Sequence, residues 1–331
     1  MEAGLTNETR GSVSAPRWQR IGVTVVRTLV AVVTLYLVFE SVRWVSVRNA
    51  FMQASPVPLI VGILLLAANL GIRIWKWQLM VNCLRAGTTF REAAGSLLLG
   101  ISLGSITPAE LGEFAGRTLH LPDARRSHLV GLTLLDRFQI MLVWTAFGVA
   151  AMALSFLRSV PARSLVLAAA LLIPAVLAWR LDLLSTVGHW MNDRWTQRGW
   201  ITRTLDGFGC LDRRDRARTL VLTVAFHLVL CLQMYSFVNA FGSVSLYHAI
   251  LAASAVMFVK AVLPVSLADL GIREMASVYF FGLFGVASVA AVDSSLLLFM
   301  TNIVLPGAAG AFLWWRVRLT RNVIPTAGKG G

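Results

Sequence analysis

Two acid–arginine pairs at matching spacing are the residues of this chain best suited to chemistry. Residues 108–117 read PAELGEFAGR and residues 264–273 read PVSLADLGIR. The first places Glu113 four residues before Arg117; the second places Asp269 four before Arg273, with Glu274 next to it. That spacing puts each acid and its arginine on one helix face. Both phrases also read as helix starts. Thr107 suits a cap, Pro108 the first helical position, and Glu110 the third residue of a capping box, with Gly112 following. Ser266 and Asp269 repeat the spacing, with Pro264 upstream. Helix N-termini attract anions, and an arginine fork binds two phosphate oxygens at once. The chemistry on offer is recognition of an anionic group by Arg117 and Arg273. The acids hold the arginines in place, or meet a cationic headgroup or a coupling proton. The plainer alternative is one internal salt bridge per phrase that only staples a hairpin, and the duplication counts against it.

The surroundings fix the solvent. Of the 331 residues 57% are hydrophobic and 14% charged, whereas soluble domains carry about 25% charged residues. A net charge of +14 in such a chain reads as Lys and Arg gathered in loops beside anionic headgroups, not as nucleic-acid binding. Three cysteines, odd in number and unpatterned, indicate neither a disulfide framework nor a metal site, and no cofactor motif is visible.

Apolar runs set the elements. Spans are expected at about 21–39, 56–81, 129–156, 164–179, 219–241 and 289–315. Residues 93–106 are apolar but too short to cross, which needs about 20. They run into the first phrase, and 249–263 run into the second. Each reads as a re-entrant hairpin, the form broken transporter helices take in sequence. Residues 180–218 read as a cytoplasmic amphipathic linker. The offset between the phrases, 156 residues (264 − 108), also carries 56–81 onto 212–237 and 129–156 onto 285–312, and Asp136 to one residue short of Asp293. The expected fold is an all-α polytopic membrane protein: one domain over 1–331, an inverted repeat (about 56–157 and 219–315), six spans and two re-entrant hairpins. Basic loops place both termini in the cytoplasm of a bacterial inner membrane.

Other polar positions read more openly. Asp136-Arg137 suits cavity lining or an interfacial anchor, and Lys260 a transport route or snorkelling. Asp293 suits a cavity or a loop, and Asn302 before Pro306 a kink. His227 and Asn69 read as interhelical hydrogen-bond partners. Arg73-Ile-Trp-Lys76-Trp, with most other tryptophans, reads as an interface belt.

The two phrases resemble the flippase-like transmembrane region of lysylphosphatidylglycerol synthases and its stand-alone relatives. The first motif is matched by Pro108, Leu111, Gly112, Glu113 and a displaced Arg117; the second by Pro264, Gly271, Arg273 and Glu274. Arg73-x-Trp75 and Asp136-Arg137 fit as well, and the likeness covers about residues 21–316. It implies movement of an anionic, aminoacylated or glycosylated lipid between leaflets. The soluble acyl-transfer domain of the synthases is not expected in this chain, so it implies no enzyme. Two further readings are a non-transporting module that anchors a lipid-modifying enzyme or glycosyltransferase through 180–218, and an intramembrane transferase using Glu113 and Asp269.

Overall fold

The computed structural model describes residues 54–107, 110–121, 124–179, 210–263 and 271–323, with isolated positions between 186 and 209. The expected first span, most of the linker at 180–209, and Pro108, Pro264 and Asp269 lie outside the described residues.

Every described element is helical. In chain order they are α1 (Pro56–Asn82), α2 (Phe90–Ser105), α3 (Gly112–His120), α4 (Arg126–Phe156), α5 (Val160–Trp179), α6 (Arg213–Phe241), α7 (Leu246–Val262), α8 (Ile272–Gly282), α9 (Ser288–Phe299), a π-helical turn (Met300–Val304) and α10 (Leu305–Val323). Local chemistry explains several starts. Thr89 caps α2 in a reciprocal box: its hydroxyl accepts the Glu92 N–H, and the Glu92 carboxylate accepts the Thr89 N–H at 2.8 Å. Asp212 caps α6 through the Asp215 N–H at 2.7 Å. The cluster Arg213–Arg218 is therefore the first turns of α6, not the end of a linker as the sequence suggested.

Four stretches are long and apolar enough to cross a membrane among the described residues: Pro56–Asn82, Arg126–Phe156, Arg213–Phe241 and Ser288–Arg316. The expected span at 164–179 falls in α5, whose described apolar part, Val160–Pro174, is shorter. Outward faces agree with a lipid solvent. Leu165, Leu171, Leu172, Ile173 and Val176 of α5 are all more than half exposed, and a patch of that kind is stable only against an apolar medium.

Antiparallel pairing of α1 and α6 organises the rest. At one end the Ser55 N–H donates to the Ala240 carbonyl at 2.8 Å; at the other, Cys83 and Cys210 are joined in a disulfide. This corrects the expectation of no disulfide. The cysteines are 127 residues apart, and only the pairing of the two helices brings their Cα atoms to 5.8 Å. Between the ends, Gln233 of α6 donates to the Gly62 carbonyl of α1.

Around this axis each half reaches into the other. α4 packs on α7, and α10 packs on α2. Glycine makes both approaches close: a Cβ at Gly148 would strike Phe258 of α7, and one at Gly310 the Leu98 carbonyl of α2. Helix α2 folds back on α3 and α7 on α8 as two helical hairpins. In the first, a Cβ at Gly116 would lie 2.5 Å from the Leu99 carbonyl oxygen. The first helix of one half thus runs opposite to the first helix of the other.

Candidate functional site

The charged residues of the first hairpin gather on partners from three other helices. Arg117, 1% exposed, donates from Nη2 to Glu113 one turn earlier and to Asp136 of α4 at 2.8 Å. Asp136 also holds the Lys76 ammonium of α1 at 2.7 Å. The guanidinium of Arg117 lies 4.3 Å from the ring centre of Trp77, a cation–π contact. Trp77 in turn donates to Ser96, whose hydroxyl donates to the Arg117 carbonyl. Trp77 is 1% exposed and so is not part of an interface belt, whereas Trp75 points outward. A helix turns by about 100° per residue, so the two tryptophans face different ways.

One step nearer the centre, Arg137 of α4 donates to both Glu110 and Glu113, and Lys260 of α7 stands 3.7 Å from Glu110. Glu110 sits in the turn before α3 at φ 55°, a left-handed conformation rare outside glycine. Such a backbone costs about 1–3 kcal/mol and persists only where its surroundings hold it. Here two cations hold its side chain. The expected capping box is corrected accordingly. Thr107 instead accepts the Gly112 N–H at 2.7 Å, and Glu110 reaches away to the cations.

In the second hairpin Gly271 takes φ 91° at the start of α8, and its N–H is held by Glu274 at 2.7 Å. The same carboxylate accepts from Arg273 at 2.5 Å. Arg273 also donates from Nε to Ser295 of α9 at 2.8 Å and lies over Phe299. The partner expected for it, Asp269, is outside the described residues.

Both hairpins open on one cavity of about 90 Å³. Glu110, Glu113, Arg137, Lys260 and Arg273 line it, and Arg73 of α1 joins them. Arg117, Asp136 and Lys76 stand behind this layer, with Asp136 and Lys76 on a smaller adjoining pocket. Ile101, Ile140, Phe226, Leu230, Met257 and Leu298 make the apolar part of the wall. Of the remaining expectations, Asp293 is buried outside this lining, and His227 bonds Ser254 across α6 and α7 as read from sequence. Asn69 is corrected: its buried amide meets no hydrogen-bond partner among the described residues. Asn302 marks a π-helical turn just before Pro306, and it too faces the cavity.

Three residues at this site escape a sequence reading as cavity groups: Arg73, Lys76 and Asn302. The signal for the first two is spacing. Arg73, Lys76 and Trp77 are three and four apart and so share a face of α1.

Charges cost free energy in a bilayer unless paired or wetted, so a membrane protein that keeps them at its centre uses them. Among the described residues six cations here (Arg73, Lys76, Arg117, Arg137, Lys260, Arg273) face four carboxylates (Glu110, Glu113, Asp136, Glu274). The fold and this interior define a polytopic all-α integral membrane protein with a charged central cavity. The model of the lysylphosphatidylglycerol synthase transmembrane region matches residues 22–310, and the chain belongs to that family. A search of curated proteins finds no match.

Proposed function

We propose that the protein moves a lipid with an anionic headgroup between leaflets, carrying the headgroup through the cavity shared by the two hairpins. The observation that supports this most is the cationic surplus of that cavity. Among the described residues Arg73, Arg137, Lys260 and Arg273 line it against Glu110 and Glu113, an excess of two positive charges in an apolar surrounding. An anion relieves that excess, and the apolar wall suits the first atoms of a lipid tail.

The hairpins act as gates in this reading. At 1.5 Å per residue, the 9 residues of α3 and 11 of α8 reach about 14 and 17 Å. Neither crosses a hydrocarbon core of about 30 Å, so each hairpin turns back near the midplane. A water needs about 10–15 Å³ on this measure, so the cavity holds about six to nine waters, and at about 30 Å³ of liquid volume each that is room for a headgroup of phosphoglycerol size. Transport then requires the hairpins to part on alternate sides, and the antiparallel halves give each side one gate.

Purified protein in vesicles holding a fluorescent phospholipid tests this, with lipid arrival in the outer leaflet read by a membrane-impermeant quencher. The reading expects wild-type vesicles to exchange lipid faster than empty ones, and Arg137→Gln and Arg273→Gln to lose most of that gain. Equal exchange in wild-type and empty vesicles, or in wild type and both variants, overturns it.

A further inference from the structure

Three groups lining the cavity keep polar atoms without a hydrogen bond among the described residues, and their chemistry narrows the headgroup. Arg73 makes no ion pair or hydrogen bond among the described residues; it lies 5.6 Å from the centre of the Phe226 ring, and Asp136 and Glu110 act on its charge from farther away. Trp144 is 8% exposed, and its indole N–H has no acceptor among the described residues. Asn302 is 9% exposed; its amide nitrogen donates to Gln233 at 2.8 Å and to the Leu298 carbonyl, and its oxygen has no donor among the described residues. Buried polar groups are normally paired, so the Trp144 N–H and the Asn302 oxygen point to a ligand, and the half-buried Arg73 on the same cavity wall offers it a cation.

Together they describe that ligand. A guanidinium without a partner suits phosphate oxygens. A donor and an acceptor lining one cavity suit a hydroxylated group, which both accepts and donates; an ammonium only donates and leaves Trp144 unsatisfied. The lining carboxylates are already occupied, Glu110 by Arg137 and Lys260, Glu113 by Arg117 and Arg137. Among the described residues no lining carboxylate is left to receive an amine, and an added positive charge would increase the surplus that they carry.

We infer that the cavity selects a phosphate-linked, hydroxylated headgroup with no free amine, and that it discriminates against an aminoacylated phospholipid. This deepens the translocase reading and rests on its assignment of the cavity as the headgroup site. Arg73 holds the phosphate, and Trp144 with Asn302 holds a hydroxyl. Two lipid classes share this chemistry, glycerol-headed phospholipids and polyprenyl-phosphate-linked sugars.

The test is competitive binding to the full chain in detergent, read by native mass spectrometry. The probes are phosphatidylglycerol, lysylphosphatidylglycerol, phosphatidylmethanol and a polyprenyl-phosphate-linked hexose. Phosphatidylglycerol or the hexose lipid is expected to bind at least tenfold tighter than the lysyl ester, and the better of the two identifies the source. Arg73→Gln weakens that binding at least tenfold with an unchanged melting temperature, and Arg73→Lys restores part of it. Trp144→Phe keeps the ring under Lys260 and removes the N–H. It lowers affinity for the hydroxylated lipid severalfold and leaves phosphatidylmethanol, which has no hydroxyl, unaffected. Equal or tighter binding of the lysyl ester, or Arg73→Gln binding as wild type does, overturns the inference. A protein with the expected ranking that moves no lipid keeps the selectivity and loses the translocase reading; one that moves phosphatidylglycerol and its lysyl ester equally does the reverse.

Discussion

At the scale of single residues the account turns on Asp136, the carboxylate between Lys76 and Arg117. Removing one member of a buried ion cluster leaves uncompensated charge and typically costs about 3–5 kcal/mol, whereas replacing a whole pair with apolar side chains is often neutral. Asp136→Ala is therefore expected to lower the melting temperature steeply, and Lys76→Met with Asp136→Leu to recover much of the loss. Thermal melts of the two variants in one detergent decide it; equal losses would show that the charges do not compensate one another. The Glu113–Arg117 pair is legible from sequence because a four-residue spacing is a local fact. Lys76 is not, since its partner lies on α4 and only the packing of α1 against α4 shows which way an ammonium beside two tryptophans points.

At the scale of elements, hairpin closure depends on absent side chains and on caps. Gly116→Leu pushes a side chain against the Leu99 carbonyl and the Gly100 backbone, and overpacking of this kind costs about 1–3 kcal/mol or more. Gly71→Ala in α1 meets nothing within 4 Å and is expected to stabilise by up to about 1 kcal/mol through helix propensity. Melting temperatures that move in opposite directions would bear out the contrast, and a harmless Gly116→Leu would contradict the hairpin packing. The cap of α2 adds a pH dependence. The Thr89 N–H, then its hydroxyl, then Arg85 hold the Glu92 carboxyl below its ordinary range. A lowered folded-state value means the contribution is complete above the ordinary range and is lost as pH falls through the lowered one. Glu92→Gln is thus expected to melt below wild type near neutral pH and to match it at the acid end; a difference that persists there would assign the effect to something other than charge. Helix existence was readable from apolar runs and cap residues, but boundaries were not. Arg213–Arg218 looks like a loop by charge and is helix because Asp212 caps it.

At the scale of the whole molecule, the duplication was legible because it is written twice at a fixed offset, and antiparallel α1 and α6 give that offset its inverted form. The disulfide was not legible, because cysteine spacing carries no information when the contact is made by two helices far apart in the chain. Denatured protein treated with a thiol-reactive polymer is expected to take up one label, at Cys231, without reductant and three with it; three labels without reductant would remove the bond. The central claim is that hairpins from opposite halves meet at one cavity. Its most direct measurement is cross-linking of Glu110→Cys to Lys260→Cys, residues 3.7 Å apart at their charged tips, in a chain carrying Cys231→Ser and the native disulfide. The account predicts rapid joining by oxidant or a short bifunctional reagent. Two cysteines that never join, and are both labelled freely from the same aqueous face, would contradict it.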